Sequence, residues 1–119
     1  MKRVLKSFVF AFQGLKDSFL TEKNFQIEYV VALLITGAGI YFSLSATEWM
    51  ILLLCFGLVL SLEIINSAIE KLCNKVCSEY DATIKKVKDM SAAAVLIAAI
   101  FSFIIGCIIF LPKIKMLFG

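Results

Sequence analysis

Apolar residues recur along this chain in two different rhythms. Over residues 1–20 they return every three or four positions. Val4, Phe8, Phe12, Leu15 and Phe19 share one helical face, and Lys2, Lys6, Gln13, Lys16 and Asp17 lie opposite. This pattern predicts an amphipathic surface helix, with its apolar stripe in the headgroup boundary and its basic side toward anionic lipid. Docking of the same stripe onto the rest of the protein is compatible with that reading. A secretory signal is not expected, because charge interrupts the short apolar part and no small-residue cleavage site follows it. A polar hinge is expected at 21–28, with Thr21 as helix N-cap.

Beyond the hinge the periodicity gives way to uncharged runs at 29–47, 49–62 and 90–112. An α-helix needs about 20 apolar residues to cross a bilayer. The runs therefore predict a first span over 26–46, a second over 48–70 with a cytoplasmic extension to about 77, and a third over 88–112. The second run is too short to span alone, so its helix must continue through Glu63 and Glu70. Turns are expected at 43–48 and near 78–83, and Pro112 is expected to stop the last helix. Gly37 and Gly39 suit a close helix approach, as do the small residues at 91–94. Trp49 sits where an interfacial aromatic belongs.

Composition supports the same picture. Hydrophobic residues make up 61% of the 119, charged residues 18%, and the mean hydropathy is +0.97. Soluble domains are nearer 45–50% and 25%. One small integral membrane domain, 1–119, with an all-α fold is the expectation. Five Lys and Arg precede the first run, five lie between the second and third, and two follow the third. That bias places the N-terminus and the 71–89 loop in the cytoplasm. A net charge of +3 is no nucleic-acid signal. The four cysteines, Cys55, Cys73, Cys77 and Cys107, form no CxxC and read as small buried hydrophobes. There is no His, so acid–base and metal chemistry falls to Asp and Glu.

The chemistry concentrates where the second span meets the cytoplasm. At about 100° per residue, Glu63, Asn66, Ser67, Glu70 and Asn74 fall on one face, while Ile64, Ile65, Ile69 and Leu72 point elsewhere. A charge in lipid costs about 2.5–3.5 kcal/mol or more. These carboxylates therefore call for a cation, a proton or a partner chain. Glu22, Glu63, Glu70, Lys88 and Asp89 all come to the cytoplasmic interface. Mg²⁺ is commonly held by one or two carboxylates with substrate phosphates, Lys binds phosphate, and a further carboxylate can take a hydroxyl proton. The set suits phosphoryl transfer from a nucleotide to a lipid alcohol, although neither GxxxxGK[ST] nor GxGxxG occurs. A small transporter using Glu63 as a proton or cation site is an alternative, and so is a structural or regulatory membrane subunit. Each residue also has a plain reading. Glu63, Asn66 and Ser67 can be interhelical hydrogen-bond partners, Glu22 a helix cap, Glu79 and Tyr80 a turn, and Arg3 and Phe10 interface anchors.

Glu63-Ile64-Ile65-Asn66-Ser67-Ala68-Ile69-Glu70, then Ser78-Glu79-Tyr80, then Lys88-Asp89-Met90 before Ser91-Ala92-Ala93-Ala94, resembles the prokaryotic diacylglycerol kinase family, which includes undecaprenol kinases. The resemblance covers nearly the whole chain. It implies a homotrimer of three-span subunits with an N-terminal surface helix in the bacterial inner membrane, sites that subunits share, and MgATP as donor. It implies Glu63 as general base, Glu22 and Glu70 as Mg²⁺ ligands, and Asn66 as support for the metal–phosphate cluster. Lys88 would contact phosphate, with Asp89, Glu79 and Tyr80 placing the nucleotide. Arg3 and Phe10 fall where the surface helix approaches the nucleotide. Gly14, Leu15, Lys16, Asn24, Phe25 and Glu28 would flank lipid entry. The chain departs from the family pattern at three positions: Asn74 stands for the usual Asp, Asp81 for a common His, and Ala92 for a Ser found in some members. The acceptor implied is diacylglycerol or undecaprenol.

Overall fold

A computed structural model describes residues 1–119 as four α-helices: α1 (Lys2–Thr21), α2 (Lys23–Tyr41), α3 (Ala46–Val76) and α4 (Ala82–Phe118). The first hinge is a single residue, Glu22, with an extended backbone. Thr21 does not cap α2 as expected. It is the last residue of α1, and its hydroxyl donates to the Asp17 carbonyl at 2.6 Å. A hydroxyl that bonds one turn back prolongs its own helix instead of opening the next. Gln26 closes the end of α1 from the other side. Its amide donates to the carbonyls of Phe19 and Leu20 at 2.9 and 3.2 Å, two groups that a helix end leaves without partners. Phe19 stacks edge-on against Phe25 and Tyr29, which fixes the angle between α1 and α2.

α2 ends at Tyr41, five residues short of the expected span end at 46. A Schellman turn ends it, with Leu44 N–H donating to the Gly39 carbonyl and Ser43 N–H to that of Ile40. Ser43 takes the left-handed conformation, φ 53°, that glycine usually fills there. α3 then begins with a capping box. The Ser45 hydroxyl accepts from Glu48 N–H, and the Glu48 carboxylate accepts from Ser45 N–H. These two motifs compress the expected 43–48 turn to four residues.

α3 and α4 make the most extensive helix pair. Asp81 caps α4, accepting from the N–H groups of Thr83 and Ile84. Pro112 does not stop α4, which continues to Phe118. Proline forfeits one backbone hydrogen bond and crowds the preceding turn, but the next residue, Lys113, pairs with Glu48 of α3 at 3.2 Å and holds the continuation in place. The core is small. Leu44, Leu52 and Ile109 are buried, with Ile35, Phe42, Trp49, Phe56, Ile105 and Phe110 packed around them. Only 13 of 119 residues are buried, while Leu, Ile and Phe side chains lie exposed along α3 and α4. Such surface needs lipid or further chains against it. α3 and α4 are each long and apolar enough to cross a membrane. α2 falls short of that measure, its first turns carrying Asn24, Gln26 and Glu28.

Gly39 is buried, and a methyl group there would lie 2.7 Å from the Trp49 ring. Around Gly37 the same methyl meets nothing. Gly39→Ala is therefore expected to lower thermal stability in detergent by about 1–3 kcal/mol, with Gly37→Ala leaving it unchanged or raised.

Candidate active site

α3 acts as a spine from which polar side chains reach each neighbouring helix. Glu63, 3% exposed, faces Glu28 of α2 closely enough for the two carboxyls to interact. One oxygen of Glu28 is buried with no protein partner. One turn of helix farther on, Asn66 and Ser67, both buried, lie beside α4. There the Ser91 hydroxyl donates to Asn66 Oδ1 at 2.7 Å. Farther along, Lys71 pairs with Glu22 at 2.7 Å, tying α3 to the α1–α2 hinge. Asn74 accepts from Lys88 Nζ of α4. The polar face predicted for α3 is thus an observed seam, buried at its membrane end and open at the other.

The remaining predicted residues divide. Glu70 lies on the seam but is exposed, with no ion pair or hydrogen bond. Asp89 is exposed and paired with Lys85 at 2.7 Å. Glu79 and Tyr80 sit in the α3–α4 connection, exposed, where the Glu79 carbonyl accepts from the Cys77 thiol at 3.3 Å. Phe25 is buried at the hinge and Asn24 is exposed beside it. Gly14, Leu15 and Lys16 lie along the exposed length of α1. Arg3 and Phe10 are carried away from the seam. At 1.5 Å per residue, Arg3 is roughly 28 Å along the chain from Glu22. No cluster of three or more Asp, Glu, Cys or His side chains is formed that could cage a metal ion.

A cavity of about 420 Å³ opens between α2, α3 and α4. Thirteen of its sixteen lining residues are hydrophobic, among them Val31, Ile35, Leu52, Phe56 and Phe110. Glu28 is its sole charged lining residue. A hydrocarbon-lined chamber therefore ends at a carboxyl pair, Glu63 buried and Glu28 half-buried, and the polar seam leads from that pair toward the exposed charges around the α3–α4 connection.

The profile of the family described as prokaryotic diacylglycerol kinase matches residues 9–110. The chain belongs to that family. Undecaprenol kinase of Bacillus subtilis (strain 168) is 40% identical over 114 residues, covering 96% of this chain and 93% of that protein. Diacylglycerol kinase of Escherichia coli (strain K12) is 35% identical over 107 residues, covering 90% and 88%. Diacylglycerol kinase of Helicobacter pylori (strain ATCC 700392 / 26695) is 35% identical over 100 residues, covering 84% and 78%. The protein is a membrane-embedded lipid kinase of the diacylglycerol and undecaprenol kinase family, and a kinase takes ATP. Transport through Glu63 and a purely structural role are set aside by this membership.

Three partners in this lipid kinase's seam were not foreseen. Ser91 read only as a small packing residue, Lys71 as one of several loop cations, and Asn74 as a lost charge. Helical spacing alone could have found Lys71, since it lies two turns from Glu63 and about 80° around the helix from it. Ser91 and Lys88 come from α4, and no spacing within α3 reveals them. Ser91→Ala is expected to leave Asn66 Oδ1 buried without a donor. That should cost about 1–3 kcal/mol of stability, read as earlier thermal unfolding in detergent, with reduced kinase activity.

Proposed function

We propose that the chain, residues 1–119 acting as one domain, transfers the γ-phosphate of MgATP to the hydroxyl of a membrane lipid alcohol at the cytoplasmic face of the bacterial inner membrane. The observation that carries this reading is the Glu28–Glu63 carboxyl pair at the end of an apolar cavity, with one Glu28 oxygen unpartnered. A buried polar atom without a partner is exceptional and calls for one. An acceptor hydroxyl entering from the cavity supplies it. Glu63 takes the hydroxyl proton, the hydroxyl oxygen bonds to the γ-phosphorus, and the bond from that phosphorus to the bridging oxygen breaks to release ADP. Glu28, in its protonated form, donates to the hydroxyl oxygen and orients it. Gly14, Leu15, Lys16, Asn24 and Phe25 flank the path by which the lipid enters.

On the nucleotide side, Lys88 contacts phosphate, with Asn74 fixing its ammonium. Asp89, Glu79 and Tyr80 place the rest of the nucleotide. The donor set fits Mg²⁺: all-oxygen, hard ligands, with Glu70 exposed and unpaired and Glu22 on the facing hinge. Two carboxylates suffice where phosphates complete the coordination, so the lack of a three-carboxylate cage is consistent with such a site. Glu22 and Glu70 would hold the ion, Asn66 would support it, and its charge would offset that of the phosphates. Arg3 and Phe10 lie too far along α1 to serve their own seam, so they serve that of a neighbouring subunit in a homotrimer. The exposed apolar faces of α3 and α4 support such an assembly. In that assembly α2 is the third crossing, and the N-terminus is cytoplasmic.

Of the two acceptors, we place undecaprenol first. The cavity beyond Glu28 offers few polar groups to the ester carbonyls of diacylglycerol, whereas a polyprenol is hydrocarbon directly below its hydroxyl. Labelled phosphate transfer from MgATP to undecaprenol and diacylglycerol, side by side in mixed micelles, tests this. Undecaprenol is expected to take the label faster, and preference for diacylglycerol would reverse the order. Glu63→Gln is expected to lower transfer about 10²–10⁴-fold with the assembly intact; a wild-type rate would remove Glu63 as base. Gly106 lines the cavity, and a methyl group there meets nothing. Gly106→Leu is expected to fill the chamber, raising KM for the lipid about 5- to 150-fold (about 1–3 kcal/mol of lost contact or overpacking), with KM for MgATP unchanged.

A further inference from the structure

Lys71 has no part in the reaction described above, yet its ammonium lies 2.7 Å from Oε1 of Glu22, a proposed metal ligand. The two side chains differ in exposure. That of Glu22 is 23% exposed and that of Lys71 is 67%, so the lysine covers the carboxylate from the water side. Asp17, one turn before the hinge, adds a second negative charge to the surroundings of Lys71. Glu70 is the preceding residue in sequence but points about 100° away around α3. Glu70 is therefore free for a cation while Glu22 is already neutralised. A metal ion that uses both carboxylates must first displace an ammonium from one of them.

We infer that Lys71 is a positioning residue that couples metal binding to nucleotide binding, holding Glu22 until a divalent ion takes it and then turning to the nucleotide phosphates. This inference rests on the reading of Glu22 as a metal ligand. The lysine stem is flexible and its ammonium is a mobile point charge with three donors. With no nucleotide present, the displaced ammonium gains only water, so the ion binds against the ion pair. With nucleotide present, the ammonium leaves one anion for another, and the penalty disappears. Exposed ion pairs contribute modestly, so the effect on metal affinity is limited to about 2- to 5-fold. The lysine thus keeps the site from taking up divalent cation without its nucleotide.

The test is Mn²⁺ binding to the purified full-length protein in detergent, without nucleotide, followed by electron paramagnetic resonance. Lys71→Met is expected to tighten Mn²⁺ binding about 2- to 5-fold, and Lys71→Arg to leave it at the wild-type value. Glu22→Gln is expected to weaken it, and adding Lys71→Met to Glu22→Gln should change nothing further. Steady-state kinetics supply a second readout: at saturating Mg²⁺, Lys71→Met should raise KM for MgATP and leave kcat unchanged. If Glu22→Gln weakens Mn²⁺ binding but Lys71→Met does not tighten it, the inference is overturned and the metal site stands. If Glu22→Gln binds Mn²⁺ like wild type, Glu22 is no ligand, and both readings fall together. Size-exclusion elution and thermal unfolding confirm that each variant is folded.

Discussion

A carboxyl group buried in an otherwise greasy helix is the constraint from which the rest of this molecule follows. Glu63 is almost fully buried on α3. Water cannot stabilise it there, and its neighbour across the helix interface is another carboxyl, Glu28. Two such groups in contact repel unless a proton, a cation or a hydroxyl lies between them. The other seam contacts surround this pair without satisfying it. Ser91 holds Asn66, Lys88 holds Asn74 and Lys71 holds Glu22, so along the seam α4 is pinned to α3 by two polar links and the α1–α2 hinge by one. One Glu28 oxygen of the pair is left without a partner.

The apolar parts of the chain have a complementary arrangement. Packing within one copy is thin, with three residues at the centre of the core and large side chains exposed along both long helices. The turn opposite the seam is tightly defined, by a Schellman turn, a capping box, Trp49 over Gly39, and the Glu48–Lys113 pair. The tightly defined turn thus lies at one end and the polar seam at the other, with the cavity between them. In the proposed reaction this division leaves the seam open to lipid and nucleotide without loosening the helix pairing.

Much of this was legible in the sequence, for identifiable reasons. The α3 face that carries Glu63, Asn66 and Ser67 follows from helical spacing, and those three are the buried polar residues of α3. Helix number followed from the uncharged runs and the periodic N-terminus. The misses share a cause: local signals were read without their tertiary partners. Thr21 is a good cap by type, but its hydroxyl bonds back into α1. Pro112 is a breaker by type, but Lys113 has a partner on α3 that keeps the helix going. Asp81, unexplained as a replacement for His, is the cap of α4. The partners of Asn66, Asn74 and Glu22 come from other helices, and one sequence carries no trace of such pairing. The cavity was invisible for the same reason, since its wall is built from three helices.

In the proposed reaction the acceptor's hydrocarbon enters the chamber between α2, α3 and α4 and presents its hydroxyl to Glu28 and Glu63. A second, shallower groove on α1, bounded by Phe12, Leu15, Lys16, Phe19 and Leu20, offers the competing location. The most direct measurement is photolabelling with a polyprenol that carries a diazirine in its first isoprene unit, followed by mass-spectrometric mapping of the labelled peptides. Label is expected on the chamber walls, around Val31 and Ile35 of α2 and Ser102 and Gly106 of α4, competed away by unlabelled acceptor. Competable label confined to α1 would contradict it, and would place the lipid on the surface helix instead of inside the bundle.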